Sequence, residues 1–66
     1  MIDKYKALRE KFNEGDWVFG LGEEKGCSPV FDHDKPNIQP FSYLGMTNPE
    51  DFRLATQEEI IIAKAN

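Results

Sequence analysis

The sequence predicts one small α+β domain: an N-terminal helix, a small antiparallel sheet of about three strands (SH3-like or a partial barrel), and a C-terminal helix on one face of it. Three observations carry this. Ile2, Tyr5, Leu8 and Phe12 recur at intervals of three, three and four residues, the period of one helix face. Segments 17–19, 27–31 and 38–44 are rich in aromatic and β-branched residues and are bounded by Gly, Pro, Asn and Asp. Thr56 stands three residues before Glu59, the spacing of a capping box, and three consecutive isoleucines follow. A chain of 66 residues holds a single domain spanning 1–66, and no repeat, low-complexity tract or linker divides it.

In order, residues 2–13 form the first helix, with Asp3 suited to its positive end and Lys11 to its last turn. Gly15 supplies a natural stop, since glycine enters the left-handed region at little cost. A strand starting at Asp16 or Trp17 puts Trp17 and Phe19 on one face and Val18 on the other. Residues 20–26 are polar and turn-prone. In 27–31, Pro29 cannot donate to a ladder, so this strand is an edge or begins after the proline. Residues 38–44 alternate, with Phe41 and Tyr43 sharing a face, and a pairing of 28–32 with 39–44 is expected. Asn48 caps a single helical turn that has Pro49 at its first position, and Phe52-Arg53-Leu54 then reads as extended. The last helix runs from Thr56 to the end of the sequence. Ile60, Ile61 and Ile62 cover more than half its circumference, so they cannot all face one small core. The expected core is Tyr5, Leu8, Phe12, Trp17, Phe19, Val30, Phe41, Leu44, Leu54, Ile60 and Ile61.

Twelve acids against eight bases give a net charge of −4, distributed unevenly. Residues 1–14 carry four bases, Lys4, Lys6, Arg9 and Lys11, against three acids, whereas residues 15–54 carry seven acids against three bases. An acidic body repels phosphate, so nucleic-acid binding is disfavoured; the alternative is an SH3-like module placing Lys4, Lys6, Arg9 and Lys11 on a nucleic-acid backbone. No run approaches the roughly 18 apolar residues of a membrane span. The N-terminus has no apolar signal core, and there is one cysteine, Cys27, so the expected compartment is a reducing cytoplasm.

Asp32-His33-Asp34 is the cluster nearest to a metal or catalytic site, but neighbours on an extended chain alternate sides, and a solvated loop is the favoured reading. A nucleophile built on Cys27 and His33 needs a cationic or helix N-terminal setting that the sequence around Cys27 lacks. Gly20-Leu21-Gly22 does not read as a phosphate loop, because Glu23 and Glu24 follow and no Gly-Lys-Ser/Thr does. No metal, no cofactor and no enzymatic activity are expected.

Phe12-Asn13-Glu14-Gly15-Asp16-Trp17-Val18 resembles the F-x-x-G-D-W-V opening of many small phage and prophage proteins of unknown function, and 53–60 resembles their R-(L/P)-A-T-P-E-E-I ending. Gln57 departs from the usual proline, and the middle of the chain does not follow a recognisable pattern. The resemblance implies a compact barrel-like sheet with a C-terminal helix and a phage or mobile-element origin, and it carries over no catalytic residue.

The expected function is a non-enzymatic, phage-encoded accessory module in the host cytoplasm, binding a host or phage protein and either inhibiting it or mimicking nucleic acid on it. Glu23, Glu24, Asp32, Asp34, Glu50 and Asp51 are the expected acidic face, with Ile62 as an apolar anchor. A homo-oligomer formed through the isoleucines is the further expectation for partners.

Overall fold

The computed structural model describes residues 2–22 and 26–65. The elements are α1 (Lys6–Lys11), β1 (Trp17–Gly20), β2 (Cys27–Pro29), α2 (Phe41–Leu44), a 3₁₀ turn (Pro49–Asp51), β3 (Phe52–Leu54) and α3 (Gln57–Ala65). The strands form one antiparallel sheet in the order β2-β1-β3, giving the α+β domain expected from the sequence.

Strand alternation sorts the side chains into two layers. Val18 lies opposite Ser28 and Leu54, and Gly20 opposite Phe52, so these share one face. Trp17 lies opposite Pro29, and Phe19 opposite Cys27 and Arg53, on the other. Tyr5, Leu8, Phe12, Val30, Ile38 and Phe41 close over Val18 and Phe52 to make the buried core, with Leu44 and Met46 packed against it. Phe41 sits between two rings, stacked on Phe12 at 5.9 Å and edge-on to Phe52 at 4.9 Å. On the opposite face α3 covers β2, making the fold three layers deep: α1 with α2, the sheet, then α3.

The first helix is shorter than expected. The Asp3 side chain accepts the Tyr5 N–H at 3.0 Å and its carbonyl accepts Lys6 N–H, so a turn replaces the first helical residues and Ile2 is left in solvent. After Phe12 turns extended, Asp16 Oδ2 accepts Asn13 N–H and Gly15 takes φ +88°, which closes the turn into β1.

Segment 38–44 is not a strand, and this corrects the sequence reading. The expected pairing with 28–32 shrinks to one bridge between Phe31 and Gln39. Pro40 has no N–H to continue that ladder, and the chain enters α2 instead; the Gln39–Pro40 peptide bond is cis. Helical spacing then turns Phe41 inward and leaves Tyr43 86 % exposed, so the two do not share a face. Gly45 ends α2 at φ +69°, and Met46 N–H bonds back to Phe41 O.

Pro29 does lie on an edge strand. Asn48 Oδ1 caps the 3₁₀ turn by accepting Glu50 N–H at 3.0 Å, and 52–54 is extended, both as expected. Leu21 N–H bonds to Asp51 O and Ala55 N–H to Trp17 O, so the intervening carbonyls of Phe52 and Leu54 face outward from β3. Lys11 Nζ donates to the first at 3.3 Å and Arg53 Nη1 to the second at 3.1 Å.

The core matches the expected set in α1 and differs from it in the strands, at Ile38 and Leu44, and in α3. Val18, Ile38 and Phe52 are buried although not expected to be, while Leu54 and Ile61 are exposed. Trp17, Phe19, Leu44 and Ile60 are half-buried. The period-2 alternation holds, but the core forms on the Val18 face, where α1 packs, while the larger rings of Trp17 and Phe19 lie under α3.

Candidate functional site

α3 is built up from its first turn. Thr56 Oγ1 accepts Glu59 N–H at 3.2 Å and Glu59 Oε1 accepts Thr56 N–H at 2.8 Å, the two halves of the capping box. The same carboxylate receives a forked Arg53 guanidinium, Nη1 to Oε1 at 2.8 Å and Nη2 to Oε2 at 2.7 Å. Arg53 stands on β3 with its guanidinium 4.6 Å from the centre of the Phe19 ring. The Arg53 hydrogen bond first, and the Thr56 N–H second, hold the Glu59 carboxyl down at about 2. The same bond raises the Arg53 pKa further. Near the other end of α3, Lys64 Nζ lies 5.5 Å from the centre of the Trp17 ring.

Between these attachments Ile60 and Ala63 are half-buried, while Ile61 and Ile62 remain 58 % and 56 % exposed. A cleft of about 420 Å³ opens along the seam, lined by Phe19, Gly26, Cys27, Glu59, Ile62 and Ala63. Burial, and then the Glu59 charge, push the Cys27 thiol up, against a smaller opposing effect of Arg53. The thiol therefore stays protonated near neutral pH and is a poor nucleophile. The arrangement offers an apolar notch with a carboxylate at its rim, suited to receiving an apolar side chain.

A second cleft of about 650 Å³ lies at the start of α1, between Ile2, Asp3, Lys4, Tyr5 and Arg9 on one side and His33, Asp34, Lys35 and Pro36 on the other. Its centre is a reciprocal clasp. Arg9 Nε donates to Asp3 Oδ2 at 2.8 Å, and the rest of its guanidinium donates to the carbonyls of His33 and Lys35. The His33 ring faces the carbonyls of Arg9 and Phe12, each 2.9 Å from Nε2; as both partners are acceptors, Nε2 carries a proton and donates to the end of α1. His33 N–H donates to Glu14 Oε1 at 3.0 Å.

The acids expected to form one face stand in separate places. Asp32 is half-buried with φ +55°, its carbonyl accepting Lys35 N–H in a turn, and Asp34 is exposed on the wall of the second cleft. Glu50 and Asp51 lie in the 3₁₀ turn on the side of α1 reached by Lys11. Ile62 is across the sheet on α3. Glu23 and Glu24 lie outside the described residues.

Of the four bases near the N-terminus, Arg9 is held as above and Lys11 Nζ donates to the carbonyls of Pro49 and Phe52. Lys4 lies over the Tyr5 ring and Lys6 is exposed. Contact of all four with phosphate would require Arg9 and Lys11 to release the carbonyls they hold. Cys27 and His33 do not meet: Cys27 lies at the α3 seam, and His33 lies against α1 beyond the other face of the sheet. Gly20 N–H and Leu21 N–H bond to Gly26 O and Asp51 O, which takes them out of any phosphate-binding role. Among the described residues, no group of three or more His, Cys, Asp or Glu could hold a metal ion, and no helix is long and apolar enough to cross a membrane.

Arg53 is the site residue the sequence reading missed. Its signal was present, a bidentate donor on an extended segment six residues before a capping-box Glu. The two motifs behind the phage resemblance also meet here. Trp17 of the first lies beside Ala55 of the second across β1 and β3, and Arg53 of the second carries the fork to Glu59. No family model, no curated protein and no solved structure matches the chain.

Proposed function

We propose that the chain is a non-enzymatic, phage-encoded accessory module that binds a host or phage protein in the host cytoplasm, with α3 as its anchoring element. The observation that carries this reading is the exposure of Ile61 and Ile62, each more than half open to solvent beside the apolar seam. Two adjacent isoleucines left outside a core this small are unfavourable to solvate, and a partner's apolar side chains cover them. Glu58, exposed in the first turn of α3, and the net charge of −4 set the partner's chemistry as an apolar segment flanked by Lys or Arg. Asp32, Asp34, Glu50 and Asp51, dispersed over two loops, act through the long-range field that speeds encounter and not as a contact patch.

The test is capture by the tagged full-length chain from nuclease-treated bacterial lysate, beside a variant carrying Ile61→Ser and Ile62→Ser. A protein that binds the wild type and is lost with the variant, whose circular dichroism is unchanged, supports the reading. Equal capture by both, or recovery that depends on nucleic acid, overturns it.

A further inference from the structure

Among the described residues, all eight buried core side chains precede α3, the last being Phe52. α3 has no buried residue. A nine-residue helix is marginal in water on its own. It keeps its shape by docking, and the docking consists of the Arg53–Glu59 fork, the Lys64–Trp17 contact and two half-buried side chains, beside the open seam of about 420 Å³. The core on the other face of the sheet is complete without it. An element with few buried contacts opens separately from such a core.

Lifting α3 uncovers the rings of Trp17 and Phe19, with the Arg53 guanidinium left without its carboxylate. That face is aromatic and cationic, the opposite sign to the molecule as a whole. We infer that α3 is a displaceable latch over a concealed docking face, and that the occupant fitting this face is a partner's acidic helix with α3's spacing of carboxylate and apolar side chains. Such a helix presents a carboxylate to Arg53 and, three and four residues on, apolar side chains to Phe19 and Cys27, as Glu59, Ile62 and Ala63 now do. The inference shares Ile62 with the proposed function but concerns the sheet beneath α3, and its test uses no lysate protein, so the two fail separately.

Amide hydrogen exchange on the full chain tests the latch. The amides of α3 exchange on the order of tenfold or more faster than those of Arg9, Phe12 and Val18, which are bonded at the core. Glu59→Gln raises exchange in α3 by roughly threefold to tenfold and leaves α1 unchanged. Lys64→Ala, which loosens the other end of α3, gives the same readout should Glu59→Gln disturb α1. The concealed face is probed with a labelled peptide of residues 55–66. It binds the Glu59→Gln chain and changes Trp17 emission, and a peptide itself carrying Glu59→Gln binds several-fold more weakly. Exchange of α3 at the rate of the core, no peptide binding, or equal binding of the two peptides overturns the inference.

Discussion

His33 and Arg9 stabilise the end of α1 through each other's backbone: the ring of one donates to the carbonyl of the other, and the guanidinium returns the bond. His33→Ala leaves the carbonyls of Arg9 and Phe12 without this donor, and the expected loss is about 1–2 kcal/mol, read from the urea midpoint. Asp32 next to it holds φ +55°, a region that penalises β-branched side chains most. Asp32→Val is expected to cost about 1–2 kcal/mol and Asp32→Gly much less, measured in the same way. In sequence these two residues looked like part of a solvated acid-histidine cluster. The partners that define the histidine lie 21 and 24 residues away, a distance over which no local pattern carries information.

At the scale of elements, the pH response belongs to α3. The Glu59 carboxyl sits at about 2 in the folded chain, held there by Arg53, against an ordinary 4.5. A depressed carboxyl favours the folded state above its unfolded value, so this contribution is complete above pH 4.5 and is lost as pH falls toward 2. Trp17 emission, which reports on the ring beneath Lys64, is expected to change over that window. The part of the change that is absent from Glu59→Gln belongs to this carboxyl. Thr56→Ala removes the other half of the cap and is expected to cost about 1 kcal/mol. α3, the 3₁₀ turn and β1 were legible because their signals are local: a capping box, an Asn-Pro start, and a period of two. α2 was not, because the aromatic alternation of Phe41 and Tyr43 suits a strand until Pro40 removes the donor that would extend the ladder. The α3 site was half legible: the exposed isoleucine run could be read from crowding on one helix, but the Arg53 tether needed the register of β3 against β1.

For the whole molecule, stability rests on one small cluster. At roughly 0.05–0.15 kcal/mol per residue, a chain of this length holds about 3–10 kcal/mol in total. Phe41→Ala removes the ring shared by Phe12 and Phe52 and is expected to cost about 3–5 kcal/mol, enough to leave much of the population unfolded by circular dichroism at 37 °C. Ile61→Ser and Ile62→Ser are expected to cost little by the same measurement, since both side chains are already largely in water. Core membership was only partly readable from sequence, since choosing between the Val18 face and the Trp17 face depends on which side α1 folds back to, a property of the chain path beyond Gly15.

The bonds along the margins of the sheet bear on how the protein behaves in a crowded cell. The outward carbonyls of β3 are occupied by Lys11 and Arg53, and β2 ends on a proline with no hydrogen to offer. Each flank therefore presents only a short, interrupted ladder to another strand. Short, interrupted edges of this kind are poor templates for strand addition.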